Sequence, residues 1–188
     1  SPAMAHLHAL VVDDSPSMRK QLCYALARIE GMATSEAGDG AEAWRKLAAL
    51  RINEALNGLR PVDEAYRQAR EYIDRALAVD PDFGRGHDGL AVIALYHDLD
   101  PAAAAQHWQR ALSLDPTNQN ILFNTTDLAL TLGKHDLGIK VSEYVVALDP
   151  VSAMNHVYLG FQYLAAGRVD DRGAVGCLHA RGGAHRAA

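Results

Sequence analysis

Ala76-Leu-Ala-Val-Asp-Pro81, Ala111-Leu-Ser-Leu-Asp-Pro116 and Val145-Val-Ala-Leu-Asp-Pro150 are one stretch written three times. The prolines fall 35 and 34 residues apart. A fixed period in this range marks a stacked helical repeat, in which each unit buries its apolar face against the next. Each copy reads as the last turn of a helix. Apolar positions are followed by Asp and then by a Pro, which lacks the N–H needed to continue and clashes with the preceding turn.

Outward from these stretches, the chain divides into pairs of antiparallel helices. In the first pair, residues 50–59 form helix A and residues 62–79 form helix B, with Ala65, Ala69, Ile73 and Ala76 on one face. The second pair is 84–96 and 102–114, joined by His97-Asp-Leu-Asp-Pro101, where Asp100 caps the helix that Pro101 starts. The third is 119–132 and 136–148, parted by Gly133. The fourth begins with 153–166, ends at Gly167, and should resume near Val169.

These units resemble tetratricopeptide repeats (TPRs), whose helix A carries a large residue, Leu-Gly and an aromatic, and whose helix B carries Ala, an aromatic, Ala and a closing Pro. The fourth unit has His156, Leu159, Gly160 and Tyr163 at the helix A positions. The second has His87, Leu90 and Ala91, a one-residue insertion in its turn, then Ala104, Trp108, Ala111 and Pro116. The third departs, with Leu122, Thr125 and Thr126 in helix A and Gly138 in place of an Ala. The first is weakest in helix A. The expected fold class is mainly α: a TPR helical-repeat superhelix of about three and a half repeats over residues 50–171, preceded by a truncated β-α-β-α segment over residues 1–49.

In that first segment, Ala9-Leu-Val-Val-Asp-Asp14 is a short apolar run of the kind that forms a buried parallel strand. Ser15 and Pro16 open a helix running to about Ile29, Gly31 ends it, residues 32–37 form a second strand, and Gly38-Asp39-Gly40 turns into a helix starting at Ala41. Val11-Val-Asp-Asp14, Arg19 and Ala37-Gly-Asp-Gly-Ala-Glu-Ala43 make the segment similar to the first part of a response-regulator receiver domain. In that family the paired acids, here Asp13 and Asp14, help bind a divalent metal beside a phosphorylated Asp, and carboxylate ligation suits magnesium. The resemblance stops near Leu50. No third strand with a phosphoacceptor Asp follows, nor the later Thr or Ser and Lys, because residues 50–80 read as helices. The expectation is therefore no cofactor, with Asp13 and Asp14 as strand-end and helix-start residues, where negative charge is favoured. A two-component phosphorelay role, with magnesium at an incomplete acidic pocket, is the alternative reading.

The apolar strands of such a fragment need cover, either from the first repeat or from the same fragment of a second chain as a homodimer. No linker separates the two parts. Residues 41–59 hold one helical stripe, through Trp44, Leu47, Ala48, Ile52, Ala55, Leu56 and Leu59. The chain reads as a fusion of unrelated pieces, natural or engineered, and an artificial chimera without an evolved role is a further alternative. Residues 1–3 read as a cloning remnant. Residues 172–188 have no acidic residue and four glycines, and read as a degenerate cap or as sequence from a shifted frame.

The resemblance implies a non-catalytic scaffold or adaptor that binds a protein or peptide in a concave groove lined by A helices. The groove positions fall on Arg85, Asp88, Val92, Leu95 and Tyr96; on Asn120, Phe123, Asp127, Leu130 and Thr131; and on Met154, Val157, Phe161, Leu164 and Ala165. Asn124 and Tyr158 lie one place on. Aromatic anchors carry much of the energy of such faces, and the polar groups set register. One TPR subfamily grips acidic C-terminal tails with Lys, Asn and Arg. Phe123 and Asp127 stand where its Lys and Asn would be, so that ligand class is not expected.

The rest of the composition narrows the classes. The net charge of −5 argues against nucleic acid, which is normally met by a basic stripe. No apolar run approaches the roughly 20 residues of a membrane span. Cys23 and Cys177 are the only cysteines, so a disulfide framework is not expected and a reducing cytoplasm is the simplest compartment. Cys23, among apolar neighbours, reads as a buried thiol. His6 and His8 share one side of a strand without a third ligand nearby, and His87 and His156 occupy a packing position of the repeat. No nucleophile–base pair, phosphate loop or CxxC pair occurs.

Overall fold

Residues 7–168 are described in the computed structural model. In chain order they form β1 (Leu7–Val12), α1 (Pro16–Leu26), β2 (Met32–Ala37), α2 (Gly40–Leu56), α3 (Val62–Val79), α4 (Gly84–Tyr96), α5 (Pro101–Leu114), α6 (Gln119–Thr131), α7 (His135–Leu148) and α8 (Ala153–Ala165). The architecture is mainly α, helical hairpins after a short parallel β-α-β segment. Two compact units emerge, one ending at Ile93 and the other starting at Ala94, so the division lies inside α4.

In the first unit β1 and β2 pair in parallel, from Leu7 opposite Met32 to Val12 opposite Ala37. Val11 and Ala37 are buried. The strand starts and ends earlier than the apolar run suggests, leaving Asp13 and Asp14 beyond it. The Ser15 hydroxyl accepts the Met18 N–H and Pro16 fills the first turn of α1, as its missing N–H allows there. α1 stops at Leu26, short of Ile29. The N–H groups of Arg28 and Ile29 donate three residues back, to Ala25 and Leu26, which tightens the end into a turn that Gly31 completes at φ 77. Among the described residues the sheet has two strands, and helices follow β2, as the sequence reading expects.

α2 joins the strands to the first hairpin. The Asp39 carboxylate caps it by accepting the Glu42 N–H at 2.8 Å. Its first half meets the strands: Ala41 and Ala43 are buried, and the Lys46 ammonium donates to the Glu36 carbonyl. Its second half packs on α3, where Ala48 and Ala55 meet a core of Ala65, Tyr66, Ala69, Ile73 and Ile93. Burying Ile73 alone is worth about 1.5–3 kcal/mol. Trp44 stacks on Tyr72 at 5.6 Å, with the Arg75 guanidinium 4.8 Å above the indole. The helix is continuous across residues 49 and 50. It ends at Leu56 rather than Leu59, because Gly58 takes φ 67 and the Leu59 N–H returns to the Glu54 carbonyl. Leu56 and Leu59 are exposed, so the apolar stripe does not extend to them.

The second unit runs from the last turn of α4 through α8. Leu99, at φ 55, accommodates the inserted turn residue, and the Asp100 carboxylate then accepts the N–H groups of Ala102 and Ala103 at 3.0 and 2.9 Å. Ala104, Trp108 and Ala111 of α5 are buried, as the repeat positions require. The Asp of each quoted stretch closes its helix alike: Asp80 N–H to the Ala76 carbonyl at 3.0 Å, Asp115 to Ala111 at 2.9 Å, Asp149 to Val145 at 3.2 Å.

The third repeat's departures form one packing solution. An added Cβ at Gly138 would lie 2.5 Å from the Gln162 side-chain oxygen. Gln162 is buried, its amide donates to the Thr126 hydroxyl at 3.1 Å, and that hydroxyl donates to the Phe123 carbonyl at 2.7 Å. Gly138 makes the room and Thr126 supplies the acceptor that a buried amide needs. Asn155, also buried, donates toward Gln119 Oε1 and the carbonyls of Val145 and Asp149 at 3.3–3.4 Å. Val169 and the helix expected after it, the tail 172–188, His6 and Cys177 lie outside the described residues.

Candidate functional site

Side chains three and four positions apart share one face of a helix. On α6 this spacing aligns Asn120, Phe123, Asn124 and Asp127, while Ile121, Leu122, Thr126 and Ala129 are buried on the other side. On α8 the same spacing aligns Met154, Val157, Tyr158 and Phe161, with Asn155, Leu159, Gly160 and Gln162 buried. Side chains link the two rows. The Phe123 and Tyr158 rings lie 3.6 Å apart between centroids, tilted by 35°. Met154, Val157 and Phe161 are 55%, 43% and 54% exposed, so an apolar strip faces solvent beside the amides of Asn120 and Asn124. Leu164 is exposed as well, whereas Leu95 is buried.

Tyr96, at the end of α4, donates its hydroxyl to Asp127 Oδ2 at 2.7 Å. Burial pushes the Asp127 carboxyl above its ordinary pKa, and the Tyr96 hydrogen bond partly counters this. In the first unit, Asp88 is buried, Val92 and Arg85 are half-buried, and the Arg85 guanidinium stands 4.0 Å from Asp88.

The acidic pair near β1 is arranged differently from a metal pocket. Asp13 Oδ1 accepts the Ser15 N–H at 2.8 Å, and the Asp13 carbonyl accepts from the Arg19 guanidinium at 2.6 Å. Arg19 also pairs with Glu36. Among the described residues no three His, Cys, Asp or Glu side chains gather where a cation could sit. His8 instead shares a hydrogen bond with Ser35. His87 and His156 hold equivalent places: each Nε2 meets the carbonyl of the Pro that closes the preceding repeat, Pro81 at 3.2 Å and Pro150 at 2.9 Å. A carbonyl only accepts, so Nε2 carries the proton in both. Cys23 is half-buried and free. Among the described residues no helix is long and apolar enough to cross a membrane.

Helical spacing aligns the α6 and α8 residues in two rows but does not report their cross-links. Tyr96 and Asp127 are 31 positions apart, and Phe123 and Tyr158 are 35 apart. Both separations lie near the repeat period, which is the signal that would have paired them.

No protein-family model and no curated protein matches the chain. Solved structures do. MamA superposes with a TM-score of 0.55 at 16% identity, covering 87% of this chain and 86% of its own. PilF of Pseudomonas aeruginosa gives 0.53 at 20% identity, covering 69% and 57%. The helical hairpins have the TPR fold. A third TPR structure, YrrB, described as having an unusual peptide-binding site, gives 0.50 at 19% identity, covering 74% and 66%. This chain therefore spans little more than half of PilF's length, and the likeness at these identities is one of TPR fold.

Proposed function

We propose that the protein is a non-catalytic TPR scaffold that binds an extended peptide segment on the face formed by α6 and α8. One observation carries this reading: Phe123, Met154, Val157, Tyr158 and Phe161 form an apolar strip, three of its members about half exposed, with Asn120 and Asn124 alongside. Rigid aromatic surface gives contact energy at low entropic cost, and side-chain amides pair with the peptide groups of an extended ligand. The same residues do little for the fold, since the buried side of each helix is already filled by others. The described peptide-binding site of YrrB, on the same fold, supports the class of ligand.

The test is an array of random decapeptides probed with the full chain and with Phe161→Glu, each checked for native helix content by circular dichroism. Phe161 is 54% exposed, so the variant should fold normally. The expected result is a discrete set of bound peptides whose affinity drops about tenfold or more in the variant. Identical binding by both proteins, or no bound peptide, overturns the reading.

A further inference from the structure

α6 reads Gln-Asn-Ile-Leu-Phe-Asn-Thr-Thr-Asp-Leu-Ala-Leu-Thr, and α8 reads Ala-Met-Asn-His-Val-Tyr-Leu-Gly-Phe-Gln-Tyr-Leu-Ala. Of these residues only Asp127 is an acid, and none is a Lys or Arg. His156, the one other titratable group besides tyrosines, is directed to the Pro150 carbonyl. Asp127 thus places a single partly buried negative charge on an otherwise uncharged face, one turn from Phe123 and Asn124.

A carboxylate has about four acceptor positions. Among the described residues, the Tyr96 hydroxyl is the side-chain donor that reaches this one, and no Lys, Arg or His forms an ion pair with it. Tying Tyr96 in place does not explain the acid, because Tyr96 is 52% exposed and its hydroxyl can be satisfied by water. What the hydrogen bond does is fix one carboxylate oxygen. The remaining acceptor positions are left for a donor that also supplies positive charge, and a charge-assisted bond in a partly dehydrated site is stronger than one at an open surface. The chain's net charge of −5 favours the approach of such a ligand from a distance.

We propose that Asp127 anchors a Lys or Arg side chain of the bound peptide, whose neighbouring apolar side chains lie on Phe123, Tyr158 and Val157. This rests on the peptide-binding reading above and narrows it to basic-apolar segments.

The experiment takes the peptides bound on the decapeptide array and measures each in solution by fluorescence anisotropy. It compares each with a copy in which Lys and Arg are replaced by norleucine, against the full chain, Asp127→Asn and Phe161→Glu. Asp127→Asn keeps an acceptor for Tyr96 and removes the charge. The expected result is enrichment of Lys or Arg beside apolar residues. Norleucine replacement should weaken binding to the parent about tenfold and have little effect on binding to Asp127→Asn, a coupling that a structural role would not produce. Bound peptides that lack this enrichment, or that bind Asp127→Asn as they bind the parent, while still failing on Phe161→Glu, overturn the basic anchor and leave the face intact. Binding unaffected by Phe161→Glu overturns both.

Discussion

At the residue scale, two positions trade packing against polarity in opposite ways. Gly138 exists to admit a buried amide: a methyl group there meets the Gln162 oxygen at 2.5 Å, and Gln162 cannot swing away without abandoning Thr126. Gly138→Ala should therefore cost about 1–3 kcal/mol in urea denaturation, despite Ala's better helix propensity. The cost should shrink in a Gln162→Ala background, and equal costs in both backgrounds would remove Gln162 from the explanation. Asp127 is the opposite case, a charge that burial disfavours. Because its pKa is raised in the folded state, the folded protein binds the proton more tightly than the unfolded chain does. Its contribution to stability is best below the unfolded carboxyl pKa and declines as pH rises through the folded one. Asp127→Asn should abolish that segment of the pH–stability curve and give a Tm at neutral pH equal to or above the parent's. A clearly lower Tm would mean the carboxylate stabilises the fold. A residue that costs stability on an exposed face is the expected mark of a binding function.

At the scale of elements, the helix ends were the most legible part of the chain, because they depend on local chemistry. α3 and α4 fall on their expected bounds, and Asp100 caps α5 as read. The ends of α1 and α2 were overextended because an apolar stripe continues past the point where a glycine at positive φ reverses the chain. The third repeat departs from the pattern at Thr126 and Gly138 when each position is taken singly. Their meaning is carried by Gln162, in a different helix, and no periodicity in one helix reports a partner in the next. The same holds for the candidate face. Spacing within one helix aligns Asn120, Phe123, Asn124 and Asp127 on one side of α6, while the Tyr96 and Tyr158 contacts join helices about one repeat apart, where only the repeat period points to them.

At the scale of the whole molecule, the first unit is unevenly built. α1 has no buried residue, and Met18, Leu22 and Tyr24 are exposed along it, whereas α3 buries Ala65, Tyr66, Ala69, Ile73 and Ala76. Segments with few buried apolar contacts open at lower free energy. Hydrogen exchange should accordingly find the amides of β1 and α1 exchanging well before those of α3, with α2 divided between the two rates at about Ala48. Uniform protection from β1 to α3 would show a single cooperative body. The Asp-Pro joints of the repeats have a different consequence, for how such a chain could lengthen. Because each joint is closed by the same backbone bond, residues 117–150 could be copied in tandem after Pro150 and the new junction would still form. The interface would not be inherited with it. The copy would bring Ile121 and Leu128 to the places held by Asn155 and Gln162, leaving Thr126 without its amide and Gly138 facing an apolar side chain. Growth by duplication is thus grammatical at the joints and ungrammatical between neighbours, and a lengthened array would have to rewrite both sides of each new seam.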